Sequence, residues 1–200
     1  MKAVIVCVLG LLLASDAVLA ATSGRIVAWG RNDYGQCDVP EPNGNFESCA
    51  GGDGHTIGLT SYGSIVTWGI YYYGLSQVPV EDEPFVGLAA GTYHSLGLRT
   101  NGMVSAWDLN TGGQCDVPEP NRDFVAVAGG RSFSLGLTSD GRIVAWGANG
   151  SGQCDVPEPN ESYLAVCAGQ DHALAIRQAD TLVEHASWGR IKALFRVPPN

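Results

Sequence analysis

Between Phe124 and Pro157 the apolar positions fall into short runs divided by turn residues. Phe124 to Ala128 (FVAVA) has strand composition and ends at Gly129-Gly130. Phe133 to Leu137 (FSLGL) alternates apolar with small or polar residues, the two-residue period of a strand buried on one face. Asp140-Gly141 is a hairpin signal, because both residue types tolerate positive φ. Ile143 to Trp146 (IVAW) is the third run, and Gly152 to Pro157 (GQCDVP) predicts a short fourth strand. Its proline suits an outer edge, where no backbone donor is needed. Four strands joined by tight turns predict one antiparallel sheet.

The pattern returns at a fixed step. Trp29, Trp68, Trp107 and Trp146 are each 39 residues apart, and Gly35, Gly74, Gly113 and Gly152 keep the same interval. A chain that repeats in this way is an array of one supersecondary unit. A single sheet cannot bury both faces, and radial stacking of such sheets is the β-propeller solution. The four tryptophans are expected in the contacts between sheets, with Ile, Val and Leu beside them, each burial contributing roughly 1.5–3 kcal/mol. First-and-second-strand halves fall at residues 46–59, 85–98, 124–137 and 163–176. Third-and-fourth-strand halves begin at 24, 63, 102, 141 and 181, the last being degenerate because Trp188 comes 42 residues after Trp146. The predicted fold is therefore all-β, a propeller or open propeller arc of four to five four-stranded antiparallel blades. The ring closes at four blades if residues 24–39 complete the half-blade at 163–176. Otherwise the arc stays open, and its exposed sheet edge favours self-association with a second copy.

The phrases Ala90 to Leu98 (AGTYHSLGL), Thr138 to Gly141 (TSDG) and Ile143 to Gly147 (IVAWG), followed by Gly152-Gln153, resemble the repeat of the regulator of chromosome condensation family. The resemblance covers nearly all of residues 22–176 and recurs four times. It implies a propeller, typically seven-bladed, so a chain of four to five blades departs from the family. The short period and the Gly-Gln…Val-Pro ending resemble an exported bacterial branch that includes a propeller-type β-lactamase inhibitory protein. What that implies is protein binding or enzyme inhibition.

Residues 1–20 stand outside the repeat. Lys2, the apolar run from Ala3 to Ala14, and Val18-Leu19-Ala20 read as a secretory signal cleaved after Ala20, with a retained membrane anchor as the alternative. The expected organisation is signal peptide at 1–20, repeat array at 21–180, and a degenerate fifth half-blade or tail at 181–200. The expected location is secreted, periplasmic or cell-surface, with no membrane insertion after cleavage. A net charge of −9 repels phosphate backbones, so nucleic acid is not expected as a partner. An exported chain permits disulfides, and Cys37 with Cys49, and Cys154 with Cys167, could each link adjacent units. Cys115 has no such mate, and the register of Cys49 and Cys167 differs by one residue.

Catalytic chemistry finds little support. His55, His94 and His172 share one repeat position that Phe133 also fills, so packing there does not require an imidazole. Asp38, Asp116 and Asp155 recur with Glu41, Glu119 and Glu158, and identical environments do not drive carboxylate pKa values apart. No phosphate loop, zinc motif or nucleophile elbow is present. The chain is read as non-enzymatic, without cofactor or metal. What varies is one set of loops. The first reads Asp53-Gly54, Thr92-Tyr93, Arg131-Ser132 and Gln170-Asp171, and the second covers 31–34, 70–73, 108–111 and 148–151. Both are expected at one end of the blades, the pattern of a recognition surface on a fixed scaffold. Tyr34, Tyr71, Tyr72, Tyr73, Tyr93 and Arg131 are the candidate binding residues, being of types that dominate interface hot spots. The partner is expected to be a protein of unknown identity. Two other readings remain open: a structural or cell-surface repeat without a dedicated ligand, and guanine nucleotide exchange as on the nuclear side of the family.

Overall fold

Strands form where the two-residue alternation predicts them. The computed structural model describes residues 23–70, 78–80 and 82–179. Among these, β1 (Phe46–Gly51), β2 (His55–Thr60) and β3 (Ile65–Gly69) make one antiparallel sheet. A second contains β4 (Phe85–Ala90), β5 (His94–Arg99) and β6 (Val104–Asp108), and a third β7 (Phe124–Gly129), β8 (Phe133–Thr138) and β9 (Ile143–Gly147). β10 (Tyr163–Ala168) and β11 (Ala173–Arg177) pair as a hairpin. The first strands of neighbouring sheets pack on one another, as blades do around an axis. A bulge recurs in each first strand, after Phe46, Phe85, Phe124 and Tyr163, and turns Glu47, Val86, Val125 and Leu164 outward.

The hairpin turns differ slightly from expectation. Only the glycine takes positive φ, as at Gly141 (φ 78), and in the first and third blades the threonine before the turn closes it. Gly141 N donates to Thr138 O at 2.9 Å and Arg142 N to Thr138 Oγ1 at 3.2 Å. The same glycine ties each sheet to the next: Phe85 N donates to Gly63 O, Phe124 N to Gly102 O and Tyr163 N to Gly141 O, at 2.9, 2.9 and 2.8 Å.

The core is a series of matching junctions. Ile57, Leu59 and Ile65 of the first blade meet Phe85 and Trp107 of the second. Leu96, Leu98 and Val104 of the second meet Phe124 and Trp146 of the third. Leu135, Leu137 and Ile143 of the third meet Tyr163, Val166 and Ala168. Each buried indole lies 6.4 Å from the phenylalanine of its own sheet. Trp68, Trp107 and Trp146 are buried, as the repeat predicts, but Trp29 is 84% exposed. Burial of an indole requires the blade before it, and among the described residues none precedes residues 24–30, which bridge to the next sheet from Gly24 to Phe46.

Each described blade has three strands rather than the expected four. The segment from Gly152 to Pro157 is turn, and its donors are used locally. Asn149 Oδ1 accepts from Cys154 N at 2.9 Å, Asn149 Nδ2 donates to Asp155 at 2.7 Å, and Asp155 N donates to Gly152 O at 3.0 Å. Asn110 does the same for Cys115 and Asp116, and Asn32 for Cys37 and Asp38. An asparagine that bonds a backbone a few residues on competes with a strand ladder, and here it wins. The recurring Asp38, Asp116 and Asp155 are thereby turn residues.

At the opposite end, the repeated Glu-Pro-Asn phrase holds the edge of the third strand. Asn121 accepts from Val104 N and donates to Val104 O, both at 2.8 Å; Asn160 clamps Ile143 and Asn43 clamps Ile26 with the same distances. The glutamates accept from the backbone N–H of that asparagine. Asn160→Ala is expected to remove both bonds and lower stability by about 1–3 kcal/mol, read from the urea midpoint.

Candidate binding face

The two variable loops of each unit leave the sheet at the same end because an antiparallel three-stranded meander returns them there. Backbone bonds lock them together: Ile70 N donates to Gly54 O, Leu109 N to Tyr93 O and Ala148 N to Ser132 O, at 2.8, 3.0 and 2.8 Å. Neighbouring units are stitched as well. Asp53 N donates to Thr92 O at 3.2 Å, Thr92 N to Gly130 O at 3.0 Å and Arg131 N to Gln170 O at 2.9 Å. The first loops of four units thus form one continuous row along the blade tops.

Tyr93 is exposed on this row and its hydroxyl donates to Asp53 Oδ2 at 3.5 Å, linking the first and second units. Arg131 reaches the fourth unit, donating to Gln170 Oε1 at 3.3 Å and lying 3.6 Å from the Asp171 carboxylate. Tyr34 packs beside Gly54, where a Cβ would come within 3.0 Å of its ring. The Arg31 guanidinium sits 5.3 Å over the Tyr34 ring and bonds Asp33 at 2.6 Å. Tyr71, Tyr72 and Tyr73 lie outside the described residues.

Beneath the row lies a buried polar layer that the residue pattern alone does not disclose. His55 Nε2 lies 3.1 Å from Ser95 Oγ, and His94 Nε2 lies 2.9 Å from Ser134 Oγ, each bond crossing a blade junction. Ser95 donates to Asp108 Oδ2 at 2.7 Å and Ser134 to Gln114 O at 2.8 Å. A serine hydroxyl has one proton, so each serine accepts from the imidazole, which fixes the neutral Nε2–H tautomer. Burial pushes both imidazoles down to about 4. The third junction has Phe133 in place of the histidine, and the residue 40 positions on is Ala173 in place of serine. Imidazole and hydroxyl disappear together, which leaves neither as an unpaired polar group. His172, in the last described hairpin, is exposed.

Asp108 is the departure at the rim. Its φ is 84°, at a repeat position where Gly30, Gly69 and Gly147 take 112°, 102° and 103°. A non-glycine residue there is strained, and the Ser95 bond holds it. Burial raises the Asp108 pKa, and the hydrogen bond from Ser95 works against that rise. The signal was legible as an aspartate that breaks a glycine column. Close by, Cys115 donates to Trp107 O at 3.4 Å, and burial, then Asp108 and Asp116, push its thiol up to about 12. No disulfide joins the described cysteines, Cys37, Cys49, Cys115, Cys154 and Cys167. Among the described residues no group of three or more His, Cys, Asp or Glu side chains could hold a metal ion.

This geometry is a row of rigid loops over a packed base, and the comparisons agree with the base. Residues 124–153 match the model of the regulator of chromosome condensation (RCC1) repeat. The ectodomain of the Physcomitrella patens receptor kinase CR4 is similar over 70% of this chain and 40% of that one, with 28% identity and a TM-score of 0.59. Yeast RCC1 (Prp20), solved bound to Kap60, is 22% identical over 75% of this chain and 49% of that one, with a TM-score of 0.62. The CRINKLY WD40 ectodomain of the Arabidopsis thaliana receptor kinase ACR4 gives 24% identity over 66% of this chain and 46% of that one, with a TM-score of 0.52. This chain spans less than half the length of each of these proteins. No curated protein sequence matches it. Three junctions of one pattern, a match to the RCC1 repeat at residues 124–153 and propeller neighbours together show an RCC1-like repeat within a propeller-type fold.

Proposed function

We propose that the chain is an exported, non-enzymatic binding protein that captures a protein partner through the loop row from Asp53 to Asp171. One observation carries this reading: successive loops are locked to one another by backbone bonds while their side chains differ from unit to unit. A rigid frame with variable side chains loses little entropy on binding, which favours recognition. Yeast RCC1, of the same fold, was solved with a protein partner. The Gly-Gln…Val-Pro repeats, similar to those of exported inhibitory propellers, make occlusion of an enzyme the specific form proposed. The net charge of −9 favours a partner with a basic surface.

The test is capture from the envelope fraction of the source organism. The wild-type chain is expected to retain one protein at one-to-one stoichiometry. Replacing Tyr93 and Arg131 together with alanine, or Tyr71, Tyr72 and Tyr73 together, is expected to weaken that capture at least tenfold, about 1.4 kcal/mol or more. Circular dichroism should be unchanged for the Tyr93 and Arg131 pair, since both side chains are exposed, and a preserved spectrum is required of the triple-tyrosine variant for its result to count. Capture unaffected by either set sinks the loop-row reading. A chain that retains nothing at stoichiometry is instead a structural repeat.

A further inference from the structure

The ends of the blade row are two halves of one blade. Residues Gly24 to Gly30 (GRIVAWG) are identical to Gly141 to Gly147, the segment that forms β9 of the third blade. In that blade the segment pairs with β8, Leu135 opposite Ala145 and Leu137 opposite Ile143. At residues 24–30 the seam to the following blade is already made, through the Gly24 bridge and the Asn43 clamp on Ile26, but among the described residues no second strand lies on the other side. The fourth hairpin is short of the complementary part. Among the described residues β11 pairs only with β10, and Leu174 and Ile176 are 60% and 57% exposed, although the equivalent Ile57, Leu59, Leu96, Leu98, Leu135 and Leu137 are all buried. At the 39-residue step, the chain's own sequence after β11 puts Glu184 and His185 where the third unit has Ala145 and Trp146.

The first two junctions each bury the tryptophan of the following blade, while the described residues of the third include Tyr163, Val166 and Ala168 but no tryptophan of the fourth unit. Trp29 is 84% exposed, and Leu174 and Ile176 are open as well.

We propose that residues 24–30 of a second copy of this chain add to β11 as the missing third strand, and that two copies close head to tail into one ring. The register follows from the third blade: Ala28 of one copy lies opposite Leu174 of the other, and Ile26 opposite Ile176. Trp29 then takes the repeat position of Trp146 beside the third blade, with Gln153 O in the place that Gln114 O takes for Trp146. The described residues of each copy make three blades and two half-blades, so a pair closed in this way holds eight, within the range that propellers adopt. The contact is heterologous, one end of the chain meeting the other end of its partner, and the pair satisfies both ends at once. This pairing is independent of the loop row, which faces away from the blade edges.

Sedimentation velocity of the full chain, with Trp29→Ser and Leu174→Asp variants, tests it. Both side chains are exposed in the single chain, so neither substitution disturbs its fold. The wild-type chain is expected to sediment as a dimer and each variant alone as a monomer. An equimolar mixture of the two variants should recover a one-to-one dimer, because one junction of the pair then has both ends intact. A monomeric wild-type chain overturns the proposal, as does a dimer that neither substitution affects, or variants that fail to complement each other.

Discussion

Trp146→Ala is expected to lower unfolding stability by about 3–5 kcal/mol, whereas Trp29→Ala leaves it within about 0.5 kcal/mol. The two residues occupy the same repeat position in identical heptapeptides, so local sequence predicts the same cost for both. Their surroundings differ. Trp146 is buried against Leu96, Leu98, Val104 and Phe124, and its indole N–H donates to Gln114 O at 2.9 Å. Truncation opens a cavity in the second junction and removes one of the two donors to Gln114 O, which keeps the bond from Ser134 Oγ, so the cavity carries most of the cost. Trp29 stands in solvent and loses nothing in the single chain. Urea unfolding followed by circular dichroism checks both, at a protein concentration low enough to keep the chain monomeric. Equal costs at the two positions would mean that Trp29 is covered, and that the row of blades is closed within one chain.

The contrast marks what the residues of this chain disclose and what they do not. Strands one to three of each unit were legible because alternation, Gly-rich ends and turn threonines all point the same way, and the same signals recur at each step. The fourth strand was not, because GQCDVP has strand composition while the competing acceptor, Asn149, lies outside it, five residues before Cys154. Periodicity also gives a residue its position without its neighbours, which is why Trp29 reads as core and stands exposed. The loop row was legible from strand parity alone. Its buried base was not: the pairs His55–Ser95 and His94–Ser134 are 40 residues apart, and only the junction geometry shows that the change to Phe133 and Ala173 is one event rather than two.

The same buried pairs make stability fall steeply on mild acidification. In the unfolded chain each histidine takes up a proton near 6.5, while in the folded chain His55 and His94 resist until about 4. Burial is the main cause. Each Nε2–H is already committed to a serine, and His94 Nδ1 is buried with no partner that could accept the proton it would gain. A folded-state pKa below the unfolded value contributes stability that is complete above pH 6.5 and lost as pH falls towards 4. For each histidine the loss is on the order of 3 kcal/mol across that window. Asp53 near His55 reduces the effect slightly, since its charge favours the imidazolium. Asp108 acts with the opposite sign: burial raises its pKa, which gives stability that is present in acid and lost as pH rises, so it offsets part of the fall. The clean interval is therefore pH 6.5 to 5, before most carboxylates titrate. Urea midpoints there should show an uptake approaching two protons on unfolding. The double variant His94→Phe with Ser134→Ala copies the third junction, removes one buried imidazole together with its partner, and is expected to halve that slope while keeping the fold. His94→Phe alone leaves Ser134 without its imidazole donor and should be less stable than the double variant by about 1 kcal/mol at pH 7. A flat stability profile between pH 6.5 and 5 in the wild-type chain would place both imidazoles in water and remove the buried polar layer from beneath the loop row.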